Sequence, residues 1–180
     1  MRESKRAQEL DPVSPVINGN VAYIYLLKND LNSAIEQCKK NIELNPNYPD
    51  VHYVLGFAYL KQQRIEEATT EFQKAVELSG KTSLYLGDLG YCYAVTGQRA
   101  EALQILKELE GRYSRREAIG LNLATVYAGL GDRDQAFAWL ERDFQQRSGL
   151  LPRITWSLFF DGLRSDPRYA DLVRRMGLKP

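Results

Sequence analysis

The chain has 180 residues, 44% hydrophobic and 26% charged, with a formal net charge of +1. That suffices for one packed domain or one compact array, and it gives no general electrostatic attraction to nucleic acid. No run approaches the roughly 18 apolar residues of a membrane span, and no signal-peptide pattern opens the sequence.

In chain order, SKRAQELDP near the start reads as the end of a helix, because Pro12 cannot continue one. A first helical unit occupies residues 15–48 and closes at Asn45-Pro46-Asn47. The second, residues 49–82, is the most regular. Leu55, Ala58 and Tyr59, then Ile65, Ala68, Phe72, Ala75 and Val76, recur at helical spacing. The third and fourth, 83–116 and 117–150, are broken midway by Gly97-Gln98 and Gly131-Asp132, which predict tight turns between two helices. Residues 151–180 form a different segment. Ser148-Gly149 and Pro152 mark a loop, and Asp166-Pro167 predicts a helix start running through Met176 to a stop at Gly177. Tyr169, Leu172, Val173 and Met176 make one stripe on that helix, which should cap the last unit, with Trp156, Leu158, Phe159, Phe160 and Leu163 packed under it.

One period runs through the middle of the chain. Tyr25, Tyr59, Tyr93 and Tyr127 are each 34 residues apart, as are Ala34, Ala68, Ala102 and Ala136. A small residue, Ala22, Gly56, Gly90 or Ala124, precedes each tyrosine by three positions. The pattern resembles the tetratricopeptide repeat family. Leu55, Gly56, Tyr59, Ala68, Phe72 and Ala75 fall at family positions 7, 8, 11, 20, 24 and 27. Leu89, Gly90, Tyr93, Gly97, Ala102 and Leu106 repeat the pattern, as do Leu123, Ala124, Tyr127, Gly131, Ala136 and Leu140. The first unit supplies Val21, Ala22, Tyr25, Ala34 and Pro46. Two features depart from it: position 4 is Asn18, His52, Leu86 and Gly120 where the family often has Trp, and position 27 is polar at Asn41 and Asp143.

The resemblance implies an all-α, right-handed superhelical solenoid of helical hairpins. Here it would hold four hairpins and a C-terminal capping helix. Such arrays are completed by stacking and present an extended surface to partners. One period back from Asn41 and Pro46 lie Ala7 and Pro12, so residues 1–14 read as the end of a preceding partial repeat and the chain as a piece of a longer protein. The ending LRSDPRYADLVRRMGL resembles the close of repeat arrays in soil-bacterial multidomain proteins, where the array often follows a winged-helix DNA-binding domain or a serine/threonine kinase domain.

Catalytic signals are absent. His52 is the sole histidine, at a packing position, and no phosphate-loop, metalloprotease or nucleophile-elbow pattern occurs. GDRDQ at 131–135 reads as a turn followed by helix-start acids rather than a calcium loop. Cys38 and Cys92 form no CxxC and read as small buried apolar groups, which suits a reducing, cytoplasmic compartment. Arg112, Arg115 and Arg116, and Arg174 and Arg175, read as solvated clusters. No metal or cofactor is expected.

The family's groove is lined by positions 2, 5, 9 and 12 of each first helix, and this supplies the candidate binding residues: Tyr23, Leu26, Tyr53, Phe57, Leu60 and Tyr91. Three neighbouring units place an aromatic at position 9, which offers large contact area at small entropic cost. The family's carboxylate clamp is missing, since Gly19, Tyr23, Val54 and Asp88 stand where it needs Lys, Asn and Arg. The expected function is non-catalytic binding of a protein or peptide segment, with no nucleic acid or membrane. Two alternatives stay open. The aromatics are filled from within the chain, or the array is a regulatory or spacer module acting on other domains of the same polypeptide.

Overall fold

The structure, a computed structural model, describes residues 2–179. Helix α1 spans Arg2–Leu10. Helix pairs follow: α2 (Pro15–Leu27) with α3 (Leu31–Leu44), α4 (Pro49–Lys61) with α5 (Ile65–Leu78), α6 (Ser83–Val95) with α7 (Arg99–Ser114), and α8 (Gly120–Gly129) with α9 (Arg133–Gln145). Two 3-10 turns, η1 (Leu151–Thr155) and η2 (Leu158–Leu163), lead to α10 (Pro167–Arg175). Among the described residues there is no strand, and no helix is long and apolar enough to cross a membrane.

The period has a backbone cause. Position 15 of each unit, Asn29, Gln63, Gly97 or Gly131, lies in the left-handed region, with φ of 59°, 63°, 80° and 76°. The next amide then reaches back to the carbonyl of the repeated tyrosine: Asp30 to Tyr25 and Arg64 to Tyr59 at 3.0 Å, Gln98 to Tyr93 at 2.8 Å, and Asp132 to Tyr127 at 3.0 Å. This bond, spanning five residues back along the chain, is the Schellman closure that ends a helix. The glycines at 97 and 131 announce it; Asn29 and Gln63 make the same turn without that signal. Ser14, Asp30 and Asp132 then cap the following helices.

The chain divides into two compact units, residues 1–85 and 86–180. In the first, α2 packs on α1, α3 and α4, and α4 on α3 and α5. The small residues sit where helices touch. A Cβ on Gly56 would come within 2.8 Å of the Phe72 ring, and Phe72 is itself fully buried. In the second unit, a Cβ on Gly90 would lie 2.7 Å from Val126 and 3.0 Å from Ile105. Ala34, Ala68, Ala102 and Ala136 have no exposed surface. Ala68→Leu and Ala102→Leu should each cost about 1–3 kcal/mol by overpacking. A pair of thermal melts checks this; two unchanged midpoints would contradict the packing described.

Helix α10 begins at Asp166, whose side chain accepts from the Arg168 amide, and ends before Gly177 at φ +77°. Tyr169, Leu172 and Val173 are buried against the unit, as are Phe159, Phe160 and Leu163. Trp156 departs from expectation. It is 55% exposed rather than packed beneath the cap, because it ends η1 on the solvent side while Arg153 and Ile154 of the same turn point inward.

Candidate interaction surfaces

Asp143 and Asn41, the polar residues at position 27, both bond to the opening backbone of the first helix in their hairpin. Asp143 is fully buried and accepts the amides of Gly120 at 2.6 Å and Leu121 at 2.7 Å, the opening turn of α8. Burial pushes its carboxyl up from the ordinary range, against the pull of those two amides. The carboxylate fits only because residue 120 is glycine: a Cβ there would meet the Trp139 carbonyl at 2.5 Å and Asp143 Oδ1 at 2.8 Å. Asn41, the matching residue in the first hairpin, donates to the Pro15 carbonyl at 2.9 Å. Asn18 beside it donates to the Pro12 and Ser14 carbonyls and accepts from Gln8 and Gln37.

The surroundings of His52 favour its charged form. Its Nδ1 lies 2.7 Å from Glu71 Oε2 and its Nε2 3.0 Å from the Pro46 carbonyl. Both partners are oxygen acceptors, and imidazolium is the form that can donate to both at once. Burial opposes that charge most strongly, but the bonds to Glu71 and Pro46 and the charge of Glu71 outweigh it and raise the pKa above its ordinary value. Lys74 works the other way. A raised folded pKa gives stability that is fully present below the unfolded value of about 6.5 and lost as pH rises through the folded value. The melting temperature should therefore fall as pH is raised from about 6 through neutrality, and His52→Gln should flatten that slope. An imidazole titration midpoint below the ordinary value would contradict this. Nearby Cys38 is pushed up to about 12 by burial and by Glu71, so its thiol stays protonated and unreactive.

The six candidate groove residues fall into different environments. Tyr23 on α2 is 39% exposed, and it shares one exposed stripe of that helix with Val16, Asn20 and Leu27. Leu26 and Leu60 are buried. On α4, Tyr53 is half-buried, stacked on Tyr85 with centroids 4.3 Å apart. Phe57 is only 7% exposed, not the partly open ring the sequence suggests. Tyr53 and Phe72 stand edge-on against it at 5.0 and 5.5 Å, which makes it core beneath the surface. In the second unit Tyr91 is half-buried under the Phe159 ring, 4.8 Å away at an interplanar angle of 60°. Filling from within therefore occurs at Tyr91.

The sequence also missed a buried ion pair. Arg153 Nη2 of η1 donates to Asp88 Oδ2 of α6 at 2.6 Å, with the two side chains 8% and 2% exposed. The arginine clusters are held at the surface by acids: Arg112 by Glu108, Arg115 by Glu117 and Arg175 by Glu141. Among the described residues, no three metal-ligating side chains converge.

Comparison with known proteins agrees with this geometry. Residues 22–63 match the family profile described as TPR repeat, and residues 49–81 and 118–142 match profiles described as tetratricopeptide repeat. No curated protein sequence matches the chain. Among solved structures, TTC0263, described as a thermophilic TPR protein in Thermus thermophilus, is 23% identical over 89% of this chain and 87% of that one, with a TM-score of 0.66. MamA is 21% identical over 81% and 85%, with a TM-score of 0.57. YrrB, described as a TPR protein with an unusual peptide-binding site, is 18% identical over 96% and 89%, with a TM-score of 0.60. At these identities the likeness is one of fold.

Proposed function

We propose that this all-α protein of tetratricopeptide repeats is a non-catalytic interaction scaffold that binds a protein or peptide segment on the first-helix face of residues 15–61. One observation carries this. Helix α2, PVINGNVAYIYLL, holds no charged residue, yet it leaves Val16, Tyr23 and Leu27 exposed in a single stripe. Exposed apolar residues aligned on one helix face, with a tyrosine among them, make an anchor surface of the kind hot spots favour. Tyr53 extends it on α4, while Leu26, Phe57 and Leu60 form the floor. The likeness in fold to YrrB, described as a TPR protein with an unusual peptide-binding site, supports this reading. The partner is an extended or helical segment with apolar anchors, with neither nucleic acid nor membrane as ligand.

Panning a random peptide library over the intact chain tests this. A selected peptide should bind the Tyr23→Ser variant at least tenfold more weakly, a loss of about 1.4 kcal/mol, with an unchanged melting temperature. Phe57→Ala should behave differently and lose about 3–5 kcal/mol of stability, as buried phenylalanines do. Peptides that bind the Tyr23 variant as tightly as the wild type would refute the surface. The second reading, a regulatory or spacer module of a larger bacterial transcription regulator or protein kinase without a free partner, is favoured by the filling of Tyr91 from within the chain.

A further inference from the structure

We propose that the face of α6 and α8 is a second binding site, that residues 151–163 are its resident ligand, and that it selects an arginine followed six residues later by an aromatic ring. This rests on the reading of first-helix faces as binding surfaces. Asp88 and Tyr91, at positions 6 and 9 of their repeat, lie on α6. Arg153 meets the first and Phe159 the second, and η2 packs along α8.

Three features set this segment apart from an ordinary core element. It consists of two short 3-10 turns outside the hairpin period. Its inward groups include a guanidinium bonded to a nearly fully buried carboxylate. A core needs only shape-matched apolar groups, and burying an ion pair in their place gains little stability. What a buried, geometrically defined ion pair does supply is selectivity: a segment lacking the arginine would leave Asp88 without that charge partner. Finally, the chain beyond it has a fastening of its own, besides the bonds that Tyr169 donates to the Ile154 carbonyl at 3.2 Å and Arg164 to the Thr155 carbonyl at 3.1 Å. Arg168 pairs with Asp134 at 2.8 Å and covers the Phe137 ring, and Arg175 pairs with Glu141 at 2.6 Å and covers Phe144. Helix α10 is thus fastened to α9 by contacts that do not involve residues 151–163. The segment is tethered at both ends, to α9 and to α10. Its departure from the α6–α8 face breaks the bonds from Tyr169 and Arg164 to the Ile154 and Thr155 carbonyls but leaves the ion pairs to α9 in place, and its return is favoured by the high local concentration a short tether imposes. Leu151, Ile154, Phe160 and Leu163 are all buried, so the occupied state dominates.

Amide hydrogen exchange and peptide binding on the full chain test this. In the wild type, residues 151–163 should exchange through an opening of their own, at least tenfold faster than α8. Asp88→Asn should speed that opening tenfold or more and leave α8 unchanged. A synthetic peptide of residues 150–164 should not bind the wild type. It should bind a chain carrying Arg153→Ala and Phe159→Ala, and adding Asp88→Asn should abolish that binding. Exchange of 151–163 only together with α8, a doubly substituted chain that fails to fold, or a folded one that ignores the peptide would each overturn the proposal and make the segment plain core. None of these outcomes touches the Tyr23 surface, whose library test reads separately.

Discussion

Deleting residues 152–180 is expected to leave a chain that aggregates or melts far below the intact protein. The deletion removes Ile154, Phe159, Phe160, Leu163, Tyr169, Leu172 and Val173, each at most 4% exposed. At about 1.5–3 kcal/mol for each buried side chain, the gross loss is on the order of 10 kcal/mol, comparable with the whole stability of a domain this size. The apolar surfaces of α8 and α9 would be laid open, and the end of a repeat array needs a polar outer face to stay soluble. Size-exclusion chromatography with a thermal melt checks this. A truncated chain that remains monomeric and equally stable would show the segment to be a passive appendage.

Asp143→Ala should produce the largest effect of any single polar substitution on an amide-capping residue. It strands the Gly120 and Leu121 amides, which Asp143 holds at 2.6 and 2.7 Å inside the protein. Two buried donors left unsatisfied cost about 1–3 kcal/mol each, so a loss of about 2–6 kcal/mol is expected. Asp143→Asn keeps one accepting oxygen and should lose less. Denaturant unfolding of the three proteins measures the order. An Asn variant no better than the Ala variant would mean that the carboxylate acts through something other than those two amides.

Helix α10 and Asp143 show what the sequence disclosed and what it withheld. The hairpins were legible because a tyrosine and two small residues recur at a fixed step, and each marks a contact that tolerates only small volume, as at Gly56 against Phe72. Helix α10 was legible because Asp166-Pro167 and Gly177 are local signals that need no partner. Asp143, Gly120 and Asn41 looked like lapses from the pattern. A polar residue at an apolar position is intelligible only once its backbone partner, more than twenty residues away, is placed beside it. Arg153 and Asp88, 65 residues apart, were invisible for the same reason. For the proposed groove residues, the repeat position does not foretell exposure. Tyr23 and Phe57 share one repeat position, yet they differ from 39% to 7% exposed, because Phe57 has Tyr53 and Phe72 against its ring.

The most direct test of the scaffold function is a heteronuclear NMR titration of the intact chain with a library-selected peptide. Chemical-shift changes should cluster on the first-helix face of residues 15–61, around Val16, Tyr23, Leu27 and Tyr53, with α3 and α5 unmoved on their outer sides. Shifts concentrated on α3 and α5, or none at a saturating concentration of peptide, would contradict it.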